Sequence, residues 1–205
     1  MMIVGRPNEH PQIDSVSYDE HAHGRLMAEA IAAKGHHRIA VLTAPLLYSR
    51  VFDLRMRSLV ERCKELGITT VPVDLLPVEL GVTRALDAAR EQDLSCIVCP
   101  VDYVALDLLR AAAARGVRIP EDVSTVGFDG LSDGLDLLGL ATLRLPVAEV
   151  AQAAVARMEE LLVAAQDDAE GPPPPAATAV RHTAIAGHLT PGRTLGPVPG
   201  ERWSG

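Results

Sequence analysis

Aromatic side chains are nearly missing from this sequence: three Tyr, two Phe and one Trp make up 3% of its 205 residues. Basic residues are also outnumbered, 19 Lys and Arg against 27 Asp and Glu, which leaves a net charge of −8 with neutral His. A nucleic-acid binder needs a basic footprint, so direct binding of DNA or RNA by this polypeptide is not expected. Cysteine occurs only three times. That odd number, in a chain whose start has no charged region leading into an apolar core and a small-residue cleavage site, points to reduced thiols and a cytoplasmic protein. No apolar run approaches the roughly 18 residues that a membrane-spanning helix needs, and no membrane partner is expected. A G-x-S-x-G elbow, a Walker-A loop and a G-x-G-x-x-G turn after a strand are all lacking. No enzyme activity and no cofactor are therefore expected.

What remains is an ordinary globular composition, 48% apolar and 22% charged, long enough for one to two domains. Short β-branched runs at 1–4, 38–43, 70–75, 95–99, 123–128 and 141–145 alternate with helical stretches near 21–34, 51–66, 81–91 and 103–115. Gly35, Gly67 and Gly116 stand just past three of these helices, where a left-handed residue closes the last turn. Phe52, Met56, Leu59, Cys63 and Leu66 form one helical stripe, and Val82, Ala85, Leu86 and Ala89 form another. Alternating strand and helix implies right-handed crossovers and a parallel sheet covered on both faces: a doubly wound α/β architecture.

The pattern then changes. A longer helix at 147–164 carries Val147, Val150, Ala151, Ala154, Val155, Met158, Leu161 and Leu162 on one apolar face. A stiff linker is expected at 166–177, with four consecutive prolines from Pro172, then a final strand within 178–187 and a poorly ordered tail over 188–205 that includes Trp203. Cys96 and Cys99 match C-x-x-C, but residues three apart on a strand point to opposite faces and cannot jointly hold a metal. His21 and His23 open a helix, where two residues apart they diverge. His36 and His37 read as punctuation after a helix, where an imidazole can meet free carbonyls. The acidic turn from Asp129 to Asp136 lacks the register of a calcium loop. No metal is expected.

Ligands of open parallel sheets bind beyond the carboxyl ends of the strands. Here those ends carry Tyr48, Ser49 and Arg50 after strand 38–43, with Arg55 a turn into the next helix. Asp102 and Tyr103 follow strand 95–99, and Asp129 ends strand 123–128. A guanidinium fork with carboxylates and hydroxyls suits a polar, polyhydroxylated small molecule. The plainer alternative is that Asp102 and Asp129 cap helices or turns while Arg55 pairs with a neighbouring acid.

The stretch Ala33-Lys34-Gly35-His36-His37-Arg38-Ile39-Ala40-Val41-Leu42 resembles the helix-to-strand junction of LacI-type transcription regulators. Gly116-Val117-Arg118-Ile119-Pro120-Glu121-Asp122-Val123-Ser124-Thr125-Val126-Gly127-Phe128-Asp129 is similar to the family's most specific signature. Leu143-Arg144-Leu145-Pro146-Val147 and Val180-Arg181 follow in the same order, so the resemblance covers nearly all of 1–187. It implies a periplasmic-binding-protein-like fold of type I, with one complete subdomain and remnants of the other. The expected parts are a remnant and crossover at 1–19, the effector-binding subdomain at 20–145 and a helix of the first subdomain at 146–165. The linker, last strand and tail come after.

The same resemblance implies a small polar effector of the sugar or nucleoside class and a homodimer formed through the helices near 81–91 and 103–115 and the segment 131–141. Operator DNA would be reached only through an amino-terminal head that has no counterpart in this sequence, which reads as truncated. A ligand held between the subdomains would favour one relative orientation and so alter the spacing of the heads. Arg55 would be the effector-contacting arginine, Asp129 the carboxylate for ligand hydroxyls, and Asp102, Tyr103, Ser49 and Tyr48 further contacts. Three positions depart from the family. Val101 replaces a common Asn, Leu76 falls where sugar binders often carry a stacking aromatic, and Ser58-Leu59 replaces Gly-Phe. A transporter's solute-binding protein and a small α/β enzyme are the rival functions.

Overall fold

The structure, a computed structural model, describes residues 1–8, 10–44, 50–167 and 179–198. The chain divides into two compact units, Met1–Asp19 with Pro146–Gly187, and Glu20–Leu145 with His188–Gly205.

The larger unit is built on a six-stranded sheet. In chain order its elements are α1 (Glu20–Ala33), β3 (Arg38–Thr43), α2 (Arg50–Glu65), β4 (Thr69–Asp74), α3 (Val78–Glu91), β5 (Cys96–Val98), α4 (Asp102–Ala114), β6 (Ser124–Asp129), α5 (Leu135–Leu138), β7 (Ala141–Arg144) and β9 (His188–Thr190). The strand order is β4-β3-β5-β6-β7-β9, parallel except for the last pair. Period-two alternation splits the core between the two faces of the sheet. Ile39, Val41, Cys96, Val98, Val126 and Phe128 pack with Met27 and Ile31 of α1 and Leu59 and Cys63 of α2. Ala40, Leu42, Ile97 and Cys99 pack with Val82 and Leu86 of α3 and Val104 and Leu108 of α4. Cys96 and Cys99 thus fall in separate clusters on opposite faces, as strand geometry requires, and all three thiols are free and buried.

The expectation of a poorly ordered tail over 188–205 is corrected for the described part, 188–198, which begins with β9. Its residues pair antiparallel with β7, Leu189 opposite Leu143 and Thr190 opposite Thr142. Beyond β9 the chain crosses the amino edge of the sheet. Thr194 Oγ1 accepts the Ala141 N–H at 2.9 Å and its carbonyl accepts the Thr125 N–H at 2.8 Å. Leu195 is buried in the α1–α2 cluster. The Gly196 N–H donates to Ser124 Oγ at 3.1 Å, and the Gly196 carbonyl meets His36 Nε2 at 3.1 Å. A carbonyl only accepts, so Nε2 carries a proton. The glycines and prolines of this segment mark turns several of whose backbone groups meet partners, which composition alone does not reveal. Trp203 and most of the expected linker lie outside the described residues.

The smaller unit is a three-stranded parallel sheet, β1 (Met2–Val4), β2 (Asp14–Tyr18) and β8 (His182–Ile185), in that order, with α6 (Val147–Asp167) packed on it. Its core is Val16, Val150 and Ala154, with Met2, Tyr18 and Ile185 against them. The helix is rotated from its expected setting. Of the eight apolar residues only Val150 and Ala154 are buried, while Val155 and Leu162 are exposed. The inner stripe runs instead through Arg157, which donates to Asp14 Oδ1 at 2.7 Å, to Glu160 at 3.0 Å and to the Ala179 carbonyl at 2.6 Å. Asp14 also accepts the Arg181 N–H, so one ion pair joins α6, β2 and the approach to β8.

Candidate functional site

At the carboxyl edge of the larger sheet, β6 ends on Asp129 and β5 leads into α4 through Val101 and Asp102. On the side of the sheet that faces α1 and α2, Arg55 rises from the second turn of α2. Its approach depends on Gly24. A Cβ there would lie 2.3 Å from the Arg55 carbonyl and 2.6 Å from the Leu59 nitrogen, so only glycine lets α1 and α2 cross this closely. Ser58 Oγ closes the same crossing by donating to the His21 carbonyl at 2.9 Å.

Arg55 and Asp129 meet, with Nη1 donating to Asp129 Oδ1 at 3.1 Å. The rest of the guanidinium is engaged by a residue that sequence reasoning missed. Glu20, the first residue of α1, accepts from Nε at 2.5 Å and from Nη2 at 3.1 Å, a bidentate fork. His23 Nδ1 lies 3.4 Å from the same carboxylate. The Arg55 guanidinium also sits over the Phe128 ring, 4.9 Å from its centroid. The signal for Glu20 was present in the sequence: Glu20, His23, Met27 and Ile31 share the buried stripe of α1. A carboxylate on such a stripe must find a cation, because an unpaired buried charge is too costly.

Exposure separates the members of this cluster. The Arg55 side chain is 2% exposed and Glu20 1%, whereas Asp129 is 29% exposed. Burial works to raise the Glu20 carboxyl, but hydrogen bonds from His23 and Arg55 and the Arg55 charge outweigh it and hold the group below the ordinary range. Asp129 goes the other way: burial and the nearby Glu20 charge raise it, and Arg55 only partly compensates. Its backbone has φ 101, which costs an L-residue of order 1–3 kcal/mol and persists only where the surroundings impose it. Here the Leu145 N–H holds the Asp129 carbonyl at 2.9 Å.

Asp102 is placed differently from a ligand contact. It is 3% exposed, and each carboxylate oxygen is taken: Oδ2 by the Gly130 N–H and Oδ1 by the Thr142 hydroxyl, both at 2.6 Å. Burial pushes its carboxyl up to about 6 against those two bonds. The plainer reading describes it, since Asp102 ties α4 to the turn that carries Asp129 and to β7. Gly130 has φ 63, and a Cβ there would lie 2.7 Å from the Arg144 Cα, so the turn needs glycine. Tyr103 is 57% exposed on the first turn of α4. Tyr48 and Ser49 lie outside the described residues. Val101 is buried in the α3–α4 core rather than lining the rim. A separate hollow of about 430 Å³ lies across the Gly130 turn, lined by Asp133, Asp136, Thr142, Arg144 and Thr190 among others, and neither Arg55 nor Asp129 borders it. Among the described residues there is no group of three or more His, Cys, Asp or Glu able to hold a metal, and no helix long and apolar enough to cross a membrane.

Residues 28–187 match the periplasmic binding protein-like domain. The HTH-type transcriptional regulator MalR of Streptomyces coelicolor is 31% identical over 161 residues, 73% of this chain and 45% of that protein. The chain spans about half the length of the curated relatives it matches. Among solved structures, a LacI family transcriptional regulator from Enterococcus faecalis with bound ribose superposes with a TM-score of 0.73 at 19% identity, covering 96% of this chain and 68% of that one. Another from an Arthrobacter species, in complex with lactose, gives 0.72 at 22% identity, covering 94% and 69%. The chain belongs to the periplasmic binding protein-like domain family.

Proposed function

We propose that this chain is the effector-sensing part of a LacI-type transcriptional regulator, and that the rim around Asp129 takes a small polyhydroxylated molecule. The observation that carries this reading is the partly exposed Asp129 carboxylate, held in a costly backbone conformation and braced by a buried arginine at the carboxyl edge of the sheet. Ribose and lactose, bound by two proteins of similar fold, are the first molecules to test. A carboxylate suits them, because each sugar hydroxyl can donate to it. Regulation would follow from population shift: a ligand biases a conformational equilibrium only by its difference in affinity between the states. The relatives are regulators rather than enzymes, and among the described residues the rim offers no nucleophile beside a base.

Self-association belongs to the same reading. Leu131, Leu137 and Leu138 are 50%, 79% and 45% exposed around α5, a concentration of apolar surface that a second copy would cover. A thermal-shift screen of pentoses, hexoses, disaccharides and nucleosides tests the sensing role. A hit that raises the melting temperature in the parent chain and vanishes in Asp129→Asn is expected. A panel without any hit would remove the sensing role and leave the fold.

A further inference from the structure

Two carboxylates share one guanidinium at this rim. Glu20 fills the fork formed by Nε and Nη2 of Arg55, and Asp129 Oδ1 takes Nη1. With both acids ionised, the three groups carry a net charge of −1. Glu20 and Arg55 are almost wholly buried, while Asp129 reaches solvent. Among the described residues its second oxygen, Oδ2, accepts no hydrogen bond. An arriving molecule therefore meets a carboxylate oxygen before it meets the guanidinium. Phosphates and carboxylates seek open arginine forks. This fork is taken, and displacing Glu20 would strand an acid that is 1% exposed.

We propose that Glu20 is the specificity-determining residue of this site. By occupying the Arg55 fork it converts a potential anion site into one that takes hydroxyl-bearing ligands free of phosphate and carboxylate groups. The inference rests on the reading of the rim as an effector site, and it adds the sign of charge that is rejected and the residue responsible. Glu20 acts through Arg55 and the local field rather than by touching the ligand.

Calorimetric titration of the full chain with matched pairs tests this: ribose against ribose 5-phosphate, and glucose against glucose 6-phosphate. The parent chain should bind the neutral member at least about tenfold more tightly, the scale expected of one uncompensated charge near a protein surface. Glu20→Gln, which keeps the shape and one acceptor, should bring the two members of the bound pair to within a few-fold of each other. Equal or tighter binding of the esters by the parent chain would overturn the inference while leaving the rim as a ligand site. A folded Glu20→Gln with an unchanged ratio would overturn it too. If neither member of either pair bound, the effector-site reading would fall and this inference with it. The parent-chain ratio needs no variant, so a preference for the esters overturns the inference even if Glu20→Gln does not fold.

Discussion

Arg55 is the residue most exposed to misreading, because removing it does two things at once. Arg55→Ala would leave Glu20 buried without its cation, a loss of about 3–5 kcal/mol that urea denaturation would register. Lost ligand binding in that variant would then say little about contact with the ligand. Asp129→Asn is the cleaner probe, since Asn tolerates positive φ and keeps an acceptor for Arg55. Asp102 allows a prediction about pH. Its carboxyl stands at about 6 in the folded protein against an ordinary 3.8, so its contribution to stability is full below the unfolded value and is lost as pH rises through 6. The melting temperature should therefore climb by a few degrees, ~3–6 °C, between pH 7.5 and pH 5. Below the ordinary carboxylate range it should fall again, as the depressed Glu20 carboxyl takes up its proton. In Asp102→Asn the climb should shrink, because the amide can still accept from Gly130 and donate to Thr142, and only the smaller share from the raised Asp129 carboxyl remains. A profile that keeps its whole climb in the variant would assign it to another group.

The elements of the larger unit were legible because its signals agree. The stripes on α2 and α3, the glycines after α1, α2 and α4, and the β-branched runs of β3 and β6 all point to one wound sheet. Two strands escaped. In β2, Asp14, Ser15 and Ser17 are buried polar residues in a five-residue run, and Asp14 and Ser15 meet Arg157 and His182 from distant parts of the sequence. Three-residue β9 is too short to show alternation and sits among turn residues. Both owe their place to partners far along the chain, which a local pattern cannot display. The rotation of α6 has the same origin, for Arg157 stands on the inner stripe and meets Asp14 there. At the rim, Arg55 and Asp129 stand at or beside strand ends, whereas Glu20, the first residue of α1, falls one position before the helical stretch expected at 21–34. The edge role of residues 188–198 can be checked with Thr194→Ala. It leaves the buried Ala141 N–H without its acceptor and should cost about 1–3 kcal/mol in denaturant melts. A cost within error of zero would mean that this segment does not hold the sheet edge.

For the whole molecule, two properties decide whether the chain works as a sensor: its association state and its response to ligand. If the leucines around α5 meet a second copy, sedimentation velocity of the full chain should show a dimer, and Leu137→Glu should shift it to monomer without lowering the melting temperature by more than about 2 °C. A parent chain that sediments as a monomer at tens of micromolar would remove the self-association claim. The most direct test of the sensing role is a calorimetric titration of the parent chain and of Asp129→Asn with ribose and with lactose. Saturable binding of at least one sugar by the parent chain is expected, weakened about tenfold or more in the folded variant, as befits the loss of a charged hydrogen-bond acceptor. Equal affinity in the two proteins would contradict the assignment of Asp129 as the ligand-facing group.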